Sequence, residues 1–230
     1  MQSKISKYTI NYFNEEEFHY LKREIFTNDC YYFYTNKEQP LIIDVGAYIG
    51  LSVLYFKKLY PNSKIVAFEP NPIAFNILKE NLFINNITDV ELHQSAILNK
   101  EGEKELYIDN TDLERYSVAS FNKDAWNREV VSKKVRVKIE KLNKYLDKEI
   151  DMLKLDVEGS EQVILNDIKS QYSNIKNIIF EYHPTSNQKL DKIIEMLSKE
   201  YNLEIYYEGK LLKRNIPKDK LLTIKAICKD

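Results

Sequence analysis

Residues 41–50 read LIIDVGAYIG, and the rest of the chain takes its meaning from this stretch. Leu41-Ile42-Ile43-Asp44-Val45 is a short apolar run of the kind that forms a strand buried on both faces of a parallel sheet. Gly46-Ala47-Tyr48-Ile49-Gly50 follows at once. Glycines just after a parallel strand let the backbone turn tightly and approach a ligand closely. A helix is expected from about Leu51 to Leu59, stopped by Pro61.

Downstream the same alternation continues. Lys64 to Glu69 reads as a second strand, and Asn71 then caps a helix that has Pro72 at its first position. Val90 to Gln94 reads as a third strand, Leu153-Lys154-Leu155 as a fourth and Ile178-Ile179-Phe180 as a fifth. A helix capped by Ser160 follows the fourth. After the fifth, Leu190, Ile193, Ile194 and Leu197 mark a helix at i, i+3, i+4 and i+7. Between the third and fourth strands, 106–108 and 135–137 suit hairpin-like strands. Leu203 to Tyr207 and Leu221 to Cys228 suit an antiparallel hairpin at the sheet edge. The pattern predicts a mostly parallel α/β sheet of Rossmann-like type with helices on both faces. Upstream, Asn14 with Glu17 resembles a capping box and predicts a helix from about Glu15 to Phe26. Residues 1–40 thus read as a helical cap on a core of residues 41–230, within one domain.

Composition narrows the function. With 43% apolar and 30% charged residues in 230, the chain can bury a full core. Its formal charge of −1 argues against a nucleic-acid binder. The cluster Lys133, Lys134, Arg136 and Lys138 reads as the solvated face of an edge strand. Cys30 and Cys228 lack zinc-type spacing and read as thiols in a reducing compartment. No apolar run reaches the ~18 residues of a membrane span, and Met1-Gln2-Ser3-Lys4 does not begin a signal peptide. A cytoplasmic protein without a membrane partner is expected.

Glu69 ends the second strand 19 residues beyond Gly50, placed to accept hydrogen bonds from both hydroxyls of an adenosine ribose. The loop lacks a G-x-G-x-x-G pattern, with a bulky Tyr48 where the second glycine would stand, so a pyrophosphate is disfavoured. The fourth strand ends in Asp156-Val157-Glu158, acids that project into the crevice where this fold class holds its ligand.

The segments DVGAYIG (44–50), AFEPNP (67–72), SAI (95–97), KLDVEGSE (154–161) and IIFEYHP (178–184) resemble, in order and spacing, the FkbM-type methyltransferases. The resemblance covers about residues 41–184. It implies an S-adenosylmethionine-dependent enzyme with the class I methyltransferase fold, a seven-stranded sheet, whose relatives are mostly O-methyltransferases. It further implies that Gly46, Ala47 and Gly50 wrap the methionine portion and Glu69 holds the ribose. Pro70 and Asn71 would border the adenine, Ser95 and Ala96 would lie near it, and Asp156 would sit beside the transferred methyl. Asp44 and Tyr48 complete the cofactor set. Position 48 is commonly Asn in this family, and Asn tolerates a positive φ where Tyr is strained.

A hydroxyl acceptor must lose its proton, and His183 and Asp156 are the candidate bases. Glu181, two residues before His183, shares its face of the strand and could instead tie down a neighbouring loop. Glu158 belongs to the catalytic set and could instead only complement the dipole of the helix that follows. Glu161 reads best as a complement to the dipole of the helix that follows. His19 and His93 read as packing or surface residues. Asp156, Glu158, Glu181 and His183 could also ligate Mg²⁺ or Mn²⁺, a reading ranked below a metal-free base.

The acceptor is expected to be a small molecule, with a glycan or nucleotide-sugar hydroxyl first and secondary metabolites next. Residues 110–134 are expected to carry its specificity. Two other readings stay open: a NAD-dependent oxidoreductase, and a catalytically silent binding subunit. A nucleobase or protein-nitrogen methyltransferase is disfavoured, because no Asn/Asp-Pro-Pro-Tyr motif follows the fourth strand.

Overall fold

The computed structural model describes residues 1–109, 119–121 and 132–229. In chain order its elements are β1 (Gln2–Ile5), β2 (Tyr8–Asn11), α1 (Glu15–Lys22), β3 (Leu41–Val45), α2 (Leu51–Leu59), β4 (Lys64–Phe68) and α3 (Pro72–Ile84). There follow β5 (Val90–His93), β6 (Ser95–Ile97), β7 (Gly102–Asp109), β8 (Ser132–Glu140), β9 (Met152–Leu155) and α4 (Glu161–Asp167). The chain ends with β10 (Asn177–Tyr182), α5 (Leu190–Leu197), β11 (Tyr201–Tyr207), β12 (Lys210–Leu212) and β13 (Leu222–Cys228).

The main sheet runs β12-β11-β13-β10-β9-β3-β4-β5. β3, β4, β5, β9 and β10 are parallel, and β13 inserts antiparallel between β10 and β11. The fold class is the one expected, a class I methyltransferase-like α/β sheet. It has eight strands where seven were expected, because Lys210–Leu212 turns back on β11 through Glu208-Gly209. Both turn residues have positive φ, 47° and 73°, the backbone a two-residue hairpin needs.

Ile42 through Val45 are all buried, as a strand covered on both faces must be. Ile43 and Val45 pack with α4 and α5; Ile42 packs with α1, α2 and α3. Asn71 caps α3 as expected, accepting from Ile73 N at 3.0 Å. Ser160 stands at the start of α4 but makes no capping bond. Glu161 and Gln188 take the free N–H groups there instead.

Residues 1–40 hold more than a helix. β1 and β2 form a hairpin, and Asn14 caps α1 by accepting from Glu17 N at 2.9 Å. α1 ends at Lys22 and passes into a π-turn at Arg23–Thr27. The buried Asn81 of α3 holds the hairpin, accepting from Asn11 N at 2.6 Å and donating to Asn11 O at 3.0 Å. The same amide donates to Ile49 O at 2.8 Å, so hairpin and glycine loop share one anchor.

The basic cluster lies on a strand that is an edge for only part of its length: β6 pairs with residues 138–140, and Lys133, Lys134 and Arg136 pair with β7 alone. β8 is the middle strand of a three-stranded sheet, β6-β8-β7. Across it, Lys134 pairs with Glu105 at 2.6 Å and Arg136 with Glu103 at 3.8 Å, while Lys138 meets Glu140 of its own strand at 3.1 Å. Cross-strand acids, rather than solvent alone, balance the charge. No helix among the described residues is long and apolar enough to cross a membrane.

Candidate active site

The carboxyl ends of β3, β4, β9 and β10 open onto a cavity of about 530 Å³, within the range of small-molecule sites. The glycine loop forms its floor. Gly46 has φ 85°, and a Cβ there would collide with the Asp156 carbonyl. Only glycine lets strands β3 and β9 close here. Gly46 N and Ala47 N both donate to Phe68 O at 2.9 Å. Tyr48, where relatives were expected to carry Asn, has φ 48°, so the loop imposes the left-handed conformation on a residue poorly suited to it.

That conformation has a use. It aims Tyr48 N at Glu69, whose Oε2 accepts at 2.8 Å while its Oε1 accepts from Asn71 N at 2.7 Å. Glu69 is 5% exposed and lies on the cavity wall. Burial pushes its pKa up to about 7, against the pull of the two backbone N–H groups. Each oxygen keeps a lone pair for a diol, so the residues present fit the ribose-holding role that the resemblance implies.

The other expected cofactor residues divide between wall and support. Gly46, Ala47, Tyr48, Pro70, Ser95, Ala96 and Asp156 line the cavity. Asp44, Gly50 and Asn71 stand behind it. Asp44 is fully buried, accepting from Ser52 Oγ at 2.5 Å. Gly50 starts α2 at φ 90° against Leu78. Ser95 Oγ donates to Glu140 Oε1 at 2.8 Å.

Beneath the loop lies Lys154, 2% exposed. Its ammonium donates to Gly46 O at 2.6 Å and faces Asp44 at 3.2 Å and Asp156 at 3.7 Å. Tyr31 covers it, ring centroid 5.3 Å away, and donates its hydroxyl to Glu181 at 3.0 Å. Burial works against the charge, but Asp44, Asp156 and Glu181 hold the Lys154 pKa above its usual value. Glu181 lines the cavity and, through Tyr31, ties down the N-terminal segment, the holding role that was the alternative foreseen for it. Burial, then the nearby Asp156, raise its pKa to about 7.

His183 stands between two acids. Its Nδ1 lies 3.0 Å from Glu161 Oε1 and its Nε2 lies 3.3 Å from Glu158 Oε2. Burial would lower the imidazole pKa, but Glu158 and Glu161 together hold it well above the usual value. Burial raises Glu158 to about 8, opposed by His183. Glu161 is more than a dipole complement, since it is fully buried and accepts from Gly159 N at 3.1 Å and Gln188 Nε2 at 2.5 Å besides holding the imidazole. Sequence reasoning missed this. It also missed Lys154, whose only signal was a lysine at a position that should be apolar.

Among the described residues, ligand atoms of Asp156, Glu158 and His183 lie within 4.8 Å of one another. Glu181, expected in a metal set, falls outside that group. Residues 110–118 and 122–131, where acceptor specificity was expected, lie outside the described residues. Ala119 and Phe121 between them reach the cavity wall. His19 is at the surface, 3.7 Å from Glu15, and His93 stacks on Phe68 at 4.8 Å.

Residues 44–204 match the family described as the methyltransferase FkbM domain. Methyltransferase sdnD of Sordaria araneosa is 30% identical over 194 residues, covering 72% of this chain and 74% of that protein. The 31-O-demethyl-FK506 methyltransferase FkbM of Streptomyces tacrolimicus is 24% identical over 223 residues, covering 82% and 83%. Among solved structures, methyltransferase FkbM from Methylobacillus flagellatus superposes with a TM-score of 0.57 at 14% identity. That likeness speaks for the fold and covers 84% of this chain but 45% of the other. The match runs through every segment that builds the cavity floor, from the glycine loop to the carboxylates after β9, and the chain belongs to the FkbM methyltransferase family.

Proposed function

We propose that the protein is an S-adenosylmethionine-dependent O-methyltransferase that acts on a hydroxyl of a small molecule, a sugar or a secondary metabolite. The observation that carries this reading is the His183–Glu158 pair, held by Glu161, on the wall of the same cavity that Glu69 lines. Family membership favours this over a nicotinamide oxidoreductase, and the loop offers no glycine at position 48 for a pyrophosphate. Free Cys30 and Cys228 fit a reducing, cytoplasmic setting.

S-adenosylmethionine, when bound, supplies an electrophilic methyl group on a sulfonium. The chain's part is to hold the acceptor oxygen in line and take its proton. Transfer to a hydroxyl would release that group's proton, which the chain's residues would take up. Burial makes Glu158 a stronger base than an ordinary carboxylate once it is ionised, and the His183 imidazolium beside it favours that ionised form, so the pair is suited to accept the acceptor's proton. Glu161 fixes the imidazole through Nδ1, and Lys154 keeps Asp156 and the Gly46 carbonyl in place. No metal is required by this scheme.

The test compares His183→Asn and Glu158→Gln with the parent protein in transfer from labelled S-adenosylmethionine. Both are expected to lose about 10²-fold or more in kcat while S-adenosylhomocysteine still binds. Full transfer in both variants would remove the pair from the mechanism.

A further inference from the structure

The cavity is larger than its family-matched floor. Residues 1–43 and 205–230 lie outside the match, yet both segments reach the wall. Glu17, Tyr20, Leu21 and Glu24 all line it, and their spacing of i, i+3, i+4 and i+7 places them on one face of α1 and the turn after it. Phe18 on the opposite face is buried in the core. From the other side, the β11–β12 turn brings Glu208 and Gly209, and Lys220 follows.

The charges that α1, the turn after it and the β11–β12 turn bring to the cavity wall are one-sided. Glu69, Asp156, Glu158 and Glu181 are accounted for by the cofactor, the proton and Lys154. Glu24 and Glu208 serve none of these, and Glu17, which accepts from the Tyr48 hydroxyl at 2.5 Å, adds its charge to the same wall. Among the described lining residues, once the buried Lys154 and His183 are set aside, Lys220 is the one cation. An acceptor carrying phosphate or carboxylate would meet like charge at short range inside a part-closed, lower-dielectric space. Carboxylates accept from hydroxyl and ammonium groups, and the half-exposed Tyr20, its ring 5.7 Å from the Arg23 guanidinium, adds apolar surface beside them.

We propose that α1 and the β11–β12 turn form the acceptor subsite and select a hydroxyl compound without anionic groups, neutral or bearing a protonated amine. The assignment rests on the methyltransferase reading above. It sets aside a nucleotide-linked sugar, whose pyrophosphate would face the same carboxylates, and it places specificity outside the family domain.

The test first measures S-adenosylhomocysteine binding by calorimetry; no binding would end the methyltransferase reading itself. Labelled methyl transfer is then measured to a panel of methyl glycosides and polyols, each as the neutral, 2-amino and phosphate or uronate form. Transfer confined to neutral and amino forms is expected. Glu208→Lys, on an exposed turn, should raise KM for the amino forms by about tenfold and leave the S-adenosylhomocysteine Kd within about twofold. Tyr20→Ala should likewise raise KM rather than that Kd. Preferred transfer to anionic forms, no transfer to any non-anionic compound while S-adenosylhomocysteine binds, or KM values unchanged in both variants would overturn the assignment.

Discussion

The carboxylate of Glu161 sits 3.0 Å from His183 Nδ1, with the acid fully buried and the imidazole facing the cavity. The two residues are 22 positions apart, one at the start of α4 and the other just past β10. A buried acid on Nδ1 decides which way the ring faces and keeps it charged. Glu161→Gln should lower the His183 pKa, read by NMR of the ring protons, and cut methyl transfer more than it cuts cofactor affinity. Glu161→Ala, which removes the acceptor outright, should also cost about 3 kcal/mol or more of unfolding free energy in urea.

Glu69 links pH to cofactor binding. Its pKa is raised to about 7, so the folded apo protein holds a proton there that the unfolded chain has released. The native state then binds more protons than the unfolded one, and this residue's share of stability falls as pH rises from about 4.5 to 7. The diol of a ribose wants the ionised form. S-adenosylhomocysteine affinity should therefore increase by up to about tenfold between pH 6 and 8, with proton release on binding. Calorimetry in buffers of different ionisation enthalpy reads both, and Glu69→Gln should flatten the profile.

Tyr48 sets strain against a hydrogen bond. Its φ of 48° costs about 1 kcal/mol for a non-glycine residue. Its hydroxyl donates to Glu17 Oε2 at 2.5 Å, a charged-acceptor bond contributing about 1.5 kcal/mol or more. Tyr48→Phe keeps the strain and loses the bond, so it should be less stable than the parent by about 1–2 kcal/mol. Tyr48→Asn loses the bond but relieves much of the strain, and should fall between the two. Urea midpoints at constant slope give the order.

Lys154→Met tests the buried cation. The thioether fills the space but leaves Asp44, fully buried, without its ammonium partner, and Gly46 O without its donor. A loss of about 3 kcal/mol is expected, with weaker S-adenosylhomocysteine binding as the glycine loop loosens. A stability equal to the parent's would show that the Lys154–Asp44 pair contributes nothing to the fold.

Much of the floor was legible because its residues are local to strand ends. A run such as LIIDV followed by glycine fixes both the strand and where its ligand edge lies, and Glu69 and Asp156 occupy the equivalent edge of neighbouring strands. What could not be read is what convergence adds. Tyr31 and Glu181 are 150 residues apart, and no periodicity links them. Four-residue strands such as β1 and β2 are too short for an alternation to show. β8 read as an edge strand throughout because the chain does not announce that β6 will pair with its last three residues on the other side. Glu161 looked like a helix-start acid because that is what a glutamate after a cap usually is.

The most direct measurement is a thermal melt of the parent protein and Glu69→Ala with S-adenosylhomocysteine, with NAD and without ligand. At about a hundred times its Kd a native-state ligand adds roughly 2.7 kcal/mol, which should raise the midpoint by about 5–10 °C. The account predicts that rise for S-adenosylhomocysteine in the parent, its loss in Glu69→Ala, and no rise with NAD. A rise with NAD alone, or none with S-adenosylhomocysteine, would contradict it.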